Sequence, residues 1–563
     1  MAASGGEKRV LFAARSATAL HRLLDVLPAF AGDERVRRRF TLIPGSDFGA
    51  DALAAVERAG GRTLPWAEAL AQSHDLILTA SPKGGLAGLR GPRVLLPHGA
   101  GYNKALPARP GSGDSASGMD PALLMPDGRP LARLHALAHP SQAARLAAEC
   151  PPAAARATVT GDPTLDRVLA SLPRRERYRS ALRTGGRKLV VLTSTWGAHS
   201  LIRRHPRLPA RLAAELPHDT YQLGLVLHPN EHSRTGAFDL AQDLAPALDA
   251  GLVLARPYEE WAALLVAADV IVTDHGSAAL YAAAARDLPM AAVGDGGGEL
   301  IPGTPMAELL AHIPVLGSVE QPTTADLERA VEGHRPGVPA SVAGQAFAER
   351  GNAVRRLREE MYRILGLTPP ADPPEPHPLP DPARPGRGPA AFAVRVERQG
   401  PHVCVERRPA RSDAPAHHLA VEADRASGTQ LQSAGLLFRR SGPSPERAAR
   451  GETWTVDGWT RHVLAEHAGP RTAAVALSAS YCLVRRTGGV LLSVRVEPHL
   501  AADGRVLRAD PAAVLSGVHA WLVEEGRDVP VPAQGVTVFC AVADRVHRAT
   551  LTPATPDEGR QEL

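Results

Sequence analysis

A chain of 563 residues is long enough for three or four domains, and 44% hydrophobic with 22% charged residues is ordinary for a soluble globular protein. The net charge of +5 is small for this length, and its short basic clusters, such as 35–39 and 174–179, read as solvated helix faces, so nothing argues for a nucleic-acid partner. The four cysteines (Cys150, Cys404, Cys482, Cys540) form no CxxC pair, and no run of eighteen apolar residues or signal-type segment occurs, which excludes zinc ribbons and a membrane span and reads as cytoplasmic.

In chain order, strands are expected at 10–14, 40–44, 75–80 and 93–97, with helices over 18–29 and 51–59. Strands alternating with helices imply a parallel α/β sheet, and ligands in such sheets bind beyond the carboxyl ends of the strands. The fourth strand runs into Pro97-His98-Gly99-Ala100-Gly101, with Lys104 three residues later. A histidine beside two glycines at a strand end approaches a substrate closely, and its near-neutral pKa suits a general base. Residues 107–130, rich in Pro, Gly, Ser and Asp, read as a mobile loop. A helix lies within 132–149. A short strand then meets the tight turn Gly161-Asp162-Pro163 and a helix with Asp166 near its start.

A second α/β half follows. Strand 188–193 ends at Ser194-Thr195-Trp196-Gly197, and strand 220–227 ends at His228-Pro229-Asn230. Strand 251–254 and helix 258–267 lead to the run Val270-Ile271-Val272, which breaks at Thr273-Asp274-His275-Gly276-Ser277 and opens an Ala-rich helix. Free backbone N–H groups and the positive end of the helix dipole converge at such a turn, which suits a phosphate. Strand 289–293 and the loop 294–299, rich in glycine, come next, and helices over 325–365 cross back over both halves. Only four lysines (Lys8, Lys83, Lys104, Lys188) occur in this arginine-rich chain, so each is slightly more informative than usual.

Residues 368–391 are proline-rich and read as a semi-rigid, extended linker. Strands are expected at 392–397, 402–407, 418–423, 472–485 and 490–497, with a hairpin turn at 486–489 and an amphipathic helix over 512–525. This is an α+β module with Trp454, Trp459 and Trp521 in its core and His417 and His418 on its surface. No metal ligand set stands out in the chain, and no cofactor is expected.

The order of the strand-end motifs resembles the CDP-glycerol glycerophosphotransferase family, teichoic-acid polymerase-like enzymes of GT-B architecture. The matching residues are His98-Gly99 with Lys104, Gly161-Asp162-Pro163 with Asp166, Thr195-Trp196, His228-Pro229, and Thr273-Asp274 with Ser277. Pro97 stands where the family carries Trp, and His275-Gly276 where it carries Tyr-Ser. The resemblance implies an α/β fold of two Rossmann-like halves, 1–170 (acceptor) and 171–366 (nucleotide donor), forming a GT-B cleft; the linker 367–391 and the small α+β domain 392–563, which resembles no known family, lie beyond it. It implies transfer of a phospho-alcohol group from a CDP-activated donor to a hydroxyl on a polyol or glycan-type acceptor, in cell-envelope synthesis. His98 would be the general base, and His228, Thr273, Asp274, Gly276 and Ser277 would hold the donor. Gly99, Lys104, Gly161, Asp166, Thr195, Trp196 and Arg203 would support them. Peripheral contact with the inner face of the membrane would go with that role. Two alternatives stand beside it: a UDP-sugar epimerase or glycosyltransferase of the same fold, since the Gly-x-Pro and His-Pro-Asn elements also resemble UDP-GlcNAc 2-epimerases, and a non-catalytic protein that senses a nucleotide or binds a partner.

Overall fold

The computed structural model describes residues 7–45, 55–97, 99–106, 115–386, 388–412, 414–441, 453–501, 504–526 and 531–563. Strands β1 (Lys8–Ala14), β2 (Val36–Leu42), β3 (Leu76–Thr79), β4 (Arg93–Leu95), β7 (Leu134–Leu137) and β8 (Ala157–Val159) form one sheet, with β5 (Ala105–Leu106) and β6 (Ser115–Ala116) as a separate small ribbon. The order is β2-β1-β3-β4-β7-β8 and every pairing is parallel. The second sheet comprises β9 (Lys188–Ser194), β10 (Tyr221–Leu227), β11 (Val253–Leu254), β12 (Val270–Thr273) and β13 (Met290–Ala292), ordered β11-β10-β9-β12-β13 and again parallel. β9 and β10 are buried along nearly their whole length, as strands covered by helices on both faces must be. The two sheets are the Rossmann-like halves of a GT-B cleft, with their carboxyl ends turned toward one shared cavity.

Two sequence expectations, the basic cluster and the mobile loop, are corrected here, and two helix readings are located more closely. The basic cluster 35–39 lies at the edge strand β2, not on a helix. The segment 132–149 holds strand β7 before its helix Pro140–Glu149. The loop expected over 107–130 contains β6 and the short helix Pro121–Leu124, while 107–114 lie outside the described residues. Of the helix expected over 51–59, residues 55–58 are helical and 51–54 lie outside the described residues.

The helix Ala353–Leu365 returns to the first half. Its Val354, Leu357, Met361 and Tyr362 are buried in the same core as Phe12, Phe30 and Phe40. The amphipathic spacing of these residues is what lets one face enter that core while Arg355, Arg356 and Arg363 stay outside. The proline-rich segment is extended, yet it is not a free spacer. Thr368 O accepts from Arg35 at 2.8 Å, His377 O from Arg167 at 3.0 Å, and Leu379 O from the Tyr178 hydroxyl at 2.8 Å. Leu379, 3% exposed, enters the core of the second half. The segment therefore straps both halves.

The C-terminal region closes into a nine-stranded barrel: β14 (Ala391–Gln399), β15 (His402–Pro409), β16 (His418–Glu422), β17 (Leu436–Arg440), β18 (Thr472–Ala476), β19 (Tyr481–Arg486), β20 (Leu491–Val496), then, beyond the small hairpin β21 (His499–Leu500) and β22 (Val506–Leu507), β23 (Val536–Val542) and β24 (Arg545–Pro553). The helix Pro511–Glu524 is buried around most of its circumference and packs against β14, β15, β17, β18, β19, β23 and β24. A helix apolar on all sides belongs inside a core, and the barrel closes around it. The hairpin at 486–489 joins β19 to β20, whereas the single strand expected over 472–485 is two strands. Trp459 and Trp521 are buried, but Trp454 is 40% exposed and stacks on His462. His417 is exposed, while the His418 ring packs edge-on against His519 with centroids 4.4 Å apart.

Candidate functional site

A cavity of about 520 Å³ lies between the two α/β halves. Its floor comes from strand ends of both sheets: Arg15 and Ser16 after β1, Ser81 and Lys83 after β3, Gly99 and Tyr102 after β4, Thr195 and Trp196 after β9, His228 after β10, Arg256 after β11, and His275 to Ser277 after β12. Gly99 and Ser277 bring the halves together, because a Cβ placed on Gly99 would lie 3.7 Å from Ser277 Oγ. His98, the chain neighbour of Gly99, lies outside the described residues.

The β12 turn is built from beneath. Asp274 is 1% exposed and its carboxylate accepts from the N–H groups of Thr195 (2.9 Å), Leu201 (2.8 Å) and Gly276 (2.9 Å). Thr273 Oγ1 accepts from Thr193 at 2.7 Å and donates to Asp274 O at 2.9 Å. Burial pushes the Asp274 carboxyl up, against the backbone donors that favour its charged form. The Thr273 and Asp274 side chains therefore hold the turn and do not line the cavity. Gly276 and Ser277 do line it, and Ser277 starts the helix Ala278–Ala285 without capping it through its side chain. Gly276 is closely enclosed, since a Cβ there would lie 3.0 Å from Asp274 Oδ1 and 3.2 Å from Thr195 Cβ.

His228 caps its own helix, Nδ1 accepting from Asn230 N–H at 3.1 Å, and its ring faces Trp196 with centroids 6.1 Å apart. Lys104 reaches from the first half to the second. Its ammonium donates to Trp196 O (2.9 Å), sits 4.1 Å from the centre of the Trp196 ring, and pairs with Glu299 Oε2 (2.8 Å). His275 Nε2 meets the same oxygen at 3.2 Å. Against the pull of partial burial, Lys104 and His275 hold the Glu299 carboxyl below its ordinary value.

Three of the expected supporting residues stand elsewhere. Asp166 is 2% exposed and accepts from Gly351 and Val354 N–H at 2.7 and 3.2 Å, fixing the start of the returning helix. Burial raises its pKa to about 6. Gly161, at φ 85°, lets that same helix approach, for a Cβ there would lie 2.9 Å from the Ala353 side chain. Arg203 pairs with Glu231 at 3.0 Å, away from the cavity.

Sequence reasoning missed much of the lining. The available signal was position: Arg15 and Lys83 follow strands of a parallel sheet, as His98 does. No local signal marks the cluster at the back of the cleft. There Asp162 caps the helix Pro163–Ser171, accepts from the Tyr281 hydroxyl at 2.6 Å, and lies 3.5 Å from Arg22. His21 stacks flat on Tyr258, centroids 5.0 Å apart and planes within 4°, and burial pushes its pKa down to about 4. Among the described residues, the cavity lining has six Arg or Lys side chains (Arg15, Arg22, Lys83, Lys104, Arg167, Arg256) and two carboxylates (Asp25, Glu259). Among the same residues, no group of three or more His, Cys, Asp or Glu is placed to hold a metal ion, and no helix is long and apolar enough to cross a membrane.

No family model matches the sequence, and no curated protein does. Solved structures are similar in fold. One is a variant of the wall teichoic acid polymerase TagF, with 10% identity and TM-score 0.46, covering 64% of this chain and 89% of that one. Another is the Staphylococcus aureus MnaA–UDP co-structure, with 12% identity and TM-score 0.40, covering 65% and 99%. A third is UDP-GlcNAc 2-epimerase from Neisseria meningitidis bound to UDP-GlcNAc, with 13% identity and TM-score 0.41, covering 63% and 100%.

Proposed function

We propose that the interdomain cleft is the active site of a transferase that moves a phospho-alcohol group from a CDP-activated donor to an acceptor hydroxyl. The observation that carries this reading is the cleft itself: six cationic side chains against two carboxylates among the described lining residues, with the β12 turn close to Gly99. Such an arrangement suits a diphosphate next to a base. The donor phosphates lie at Ser277, Gly276 and the start of the Ala278 helix, with His228 alongside; Thr273 and Asp274 hold that turn in shape. Thr195 and Trp196 form the adjoining wall. His98 takes the proton of the acceptor hydroxyl as its oxygen attacks the phosphorus that bears the alcohol. The bond from that phosphorus to the bridging oxygen breaks, and CMP leaves with the bond pair. Phosphoryl chemistry of this kind depends on positioning and charge neutralisation more than on covalent help.

The test is CMP release from CDP-glycerol, together with thermal-shift titration of CDP, CMP, UDP and UDP-GlcNAc. His98→Ala should lower kcat about 100-fold or more while leaving CDP binding in place. Ser277→Ala should weaken CDP. Full turnover by His98→Ala removes the base assignment, and preference for uridine nucleotides points instead to sugar chemistry in the same cleft. One observation favours a second reading, a nucleotide-sensing cleft without turnover: the Lys104 charge is already used by Glu299 at 2.8 Å. Cytidine nucleotide binding with no release of CMP from any CDP-alcohol supports that reading.

A further inference from the structure

The cations of the cleft divide into two kinds. Arg22 lies 3.5 Å from Asp162, Lys104 2.8 Å from Glu299, Arg167 2.9 Å from Asp25, and Arg256 2.7 Å from Glu260. Arg15 and Lys83 have no carboxylate partner among the described residues, and both stand in the first half. Arg15 donates to Gly45 O at 3.3 Å, while its Nε is buried with no hydrogen-bond partner among the described residues. An unpaired guanidinium N–H away from water is costly unless a ligand supplies the acceptor.

The two residues are brought together by the sheet. β1 and β3 are neighbouring strands, so the turns that follow them lie side by side. Gly84, at φ 95°, makes the approach closer still, for a Cβ there would lie 3.4 Å from Arg15 Cδ. The β3 turn is fixed by Thr79 Oγ1 donating to Ser81 O at 3.0 Å, and by Ser81 Oγ accepting from Lys83 N–H at 3.3 Å. Ser16 caps the helix Ala17–Leu24, accepting from Ala19 N–H at 3.1 Å, so the positive end of that helix faces the same corner. Arg15, Ser16, Thr18, Ser81 and Lys83 all line the cleft.

We propose that Arg15 and Lys83 form an anion subsite in the first half, separate from the β12 turn, that binds a phosphate group carried by the second substrate. Its description as an acceptor subsite rests on the transferase reading above; the anion site does not. A planar guanidinium and a mobile ammonium on adjoining turns hold a tetrahedral oxyanion from two sides. A neutral polyol gains nothing there, so the pair favours an acceptor that carries a phosphate.

The probe is inorganic phosphate, titrated calorimetrically into the full chain with and without saturating CDP. Wild type should bind phosphate, and CDP should leave that binding within about twofold. Arg15→Gln and Lys83→Gln should each weaken it about tenfold or more, because each removes a charge-assisted hydrogen bond to the anion. Arg15→Lys and Lys83→Arg keep the charges and should bind more tightly than the glutamine variants, which separates lost charge from lost fold. In saturating CDP, which covers the β12 turn, Ser277→Ala should titrate like wild type. Absence of phosphate binding, displacement of phosphate by CDP, or undiminished binding by the Arg15→Gln/Lys83→Gln double variant overturns the proposal. Failure of CDP to bind would instead remove the donor reading, while the phosphate titrations of wild type and the double variant still decide the subsite.

Discussion

Asp274 and Glu299 are carboxylates on either side of one turn, and they do different work. Asp274 is enclosed and serves three backbone N–H groups, so its replacement orphans them together. Each buried donor left unpaired costs about 1–3 kcal/mol, so Asp274→Ala should lower the unfolding free energy by about 3 kcal/mol or more, measured by urea titration, and should abolish nucleotide binding with it. Glu299 is only partly buried and shares one oxygen between Lys104 and His275. It withholds the Lys104 charge from any ligand. Glu299→Gln should therefore leave stability nearly unchanged and tighten nucleotide diphosphate binding several-fold, read by calorimetry. Neither role is visible in sequence. Asp274 sits inside a motif that suggests ligand contact, and only its depth below the turn shows that it holds the loop instead.

At the level of elements, strand ends were legible and their occupants were not. The apolar run Val270–Thr273 is a strand followed by a helix because both signals are local: a short β-branched run, then small residues of good helix propensity. Arg15 and Lys83 obeyed the same positional rule, yet nothing local separates a strand-end cation that is neutralised from one that is not. The barrel shows the same limit. His418 reads as a surface histidine, but its ring meets His519, far off in the sequence, and burial pushes the first down to about 2 and the second to about 4. Both rings stay neutral in the folded barrel, whereas in the unfolded chain both take up protons below about pH 6.5. The folded state therefore binds fewer protons in that range, and stability falls as the pH drops from about 6.5 toward 4. Urea unfolding followed by tryptophan fluorescence at pH 7 and pH 5 should show this loss, and His418→Phe should reduce it.

At the scale of the molecule, the three folded regions are tied by side chains and by the strap. The Arg407 side chain is fully buried and bonds both Asp219, before β10, at 2.6 Å and Asp510, before the barrel helix, at 2.9 Å. His218 N–H donates to Arg407 O at 2.8 Å, so the barrel is seated at the amino ends of the second sheet, opposite the cleft. Removing one member of such a group leaves its partners charged and desolvated, which costs about 3–5 kcal/mol. Arg407→Ala should accordingly release the barrel, seen as faster proteolysis near Ala390 and an expanded scattering profile, with cytidine nucleotide affinity unchanged. Leu379→Ala tests the strap: a buried leucine truncated to alanine loses about 2–5 kcal/mol, and the loss should fall on the second α/β half.

The sequence by itself determined the alternation of strands and helices, the two parallel halves, the extended proline segment and the turns that face the cleft. These follow from side-chain periodicity and turn chemistry, which act over a few residues. Tertiary structure alone decided that nine strands close around one helix, that Asp166 and Arg203 stand away from the cavity, and which cations are neutralised. Lys104 finds Glu299, and Arg407 finds Asp219, across long stretches of chain. Charge pairing depends on distance and burial in the folded protein, and residue order carries neither quantity.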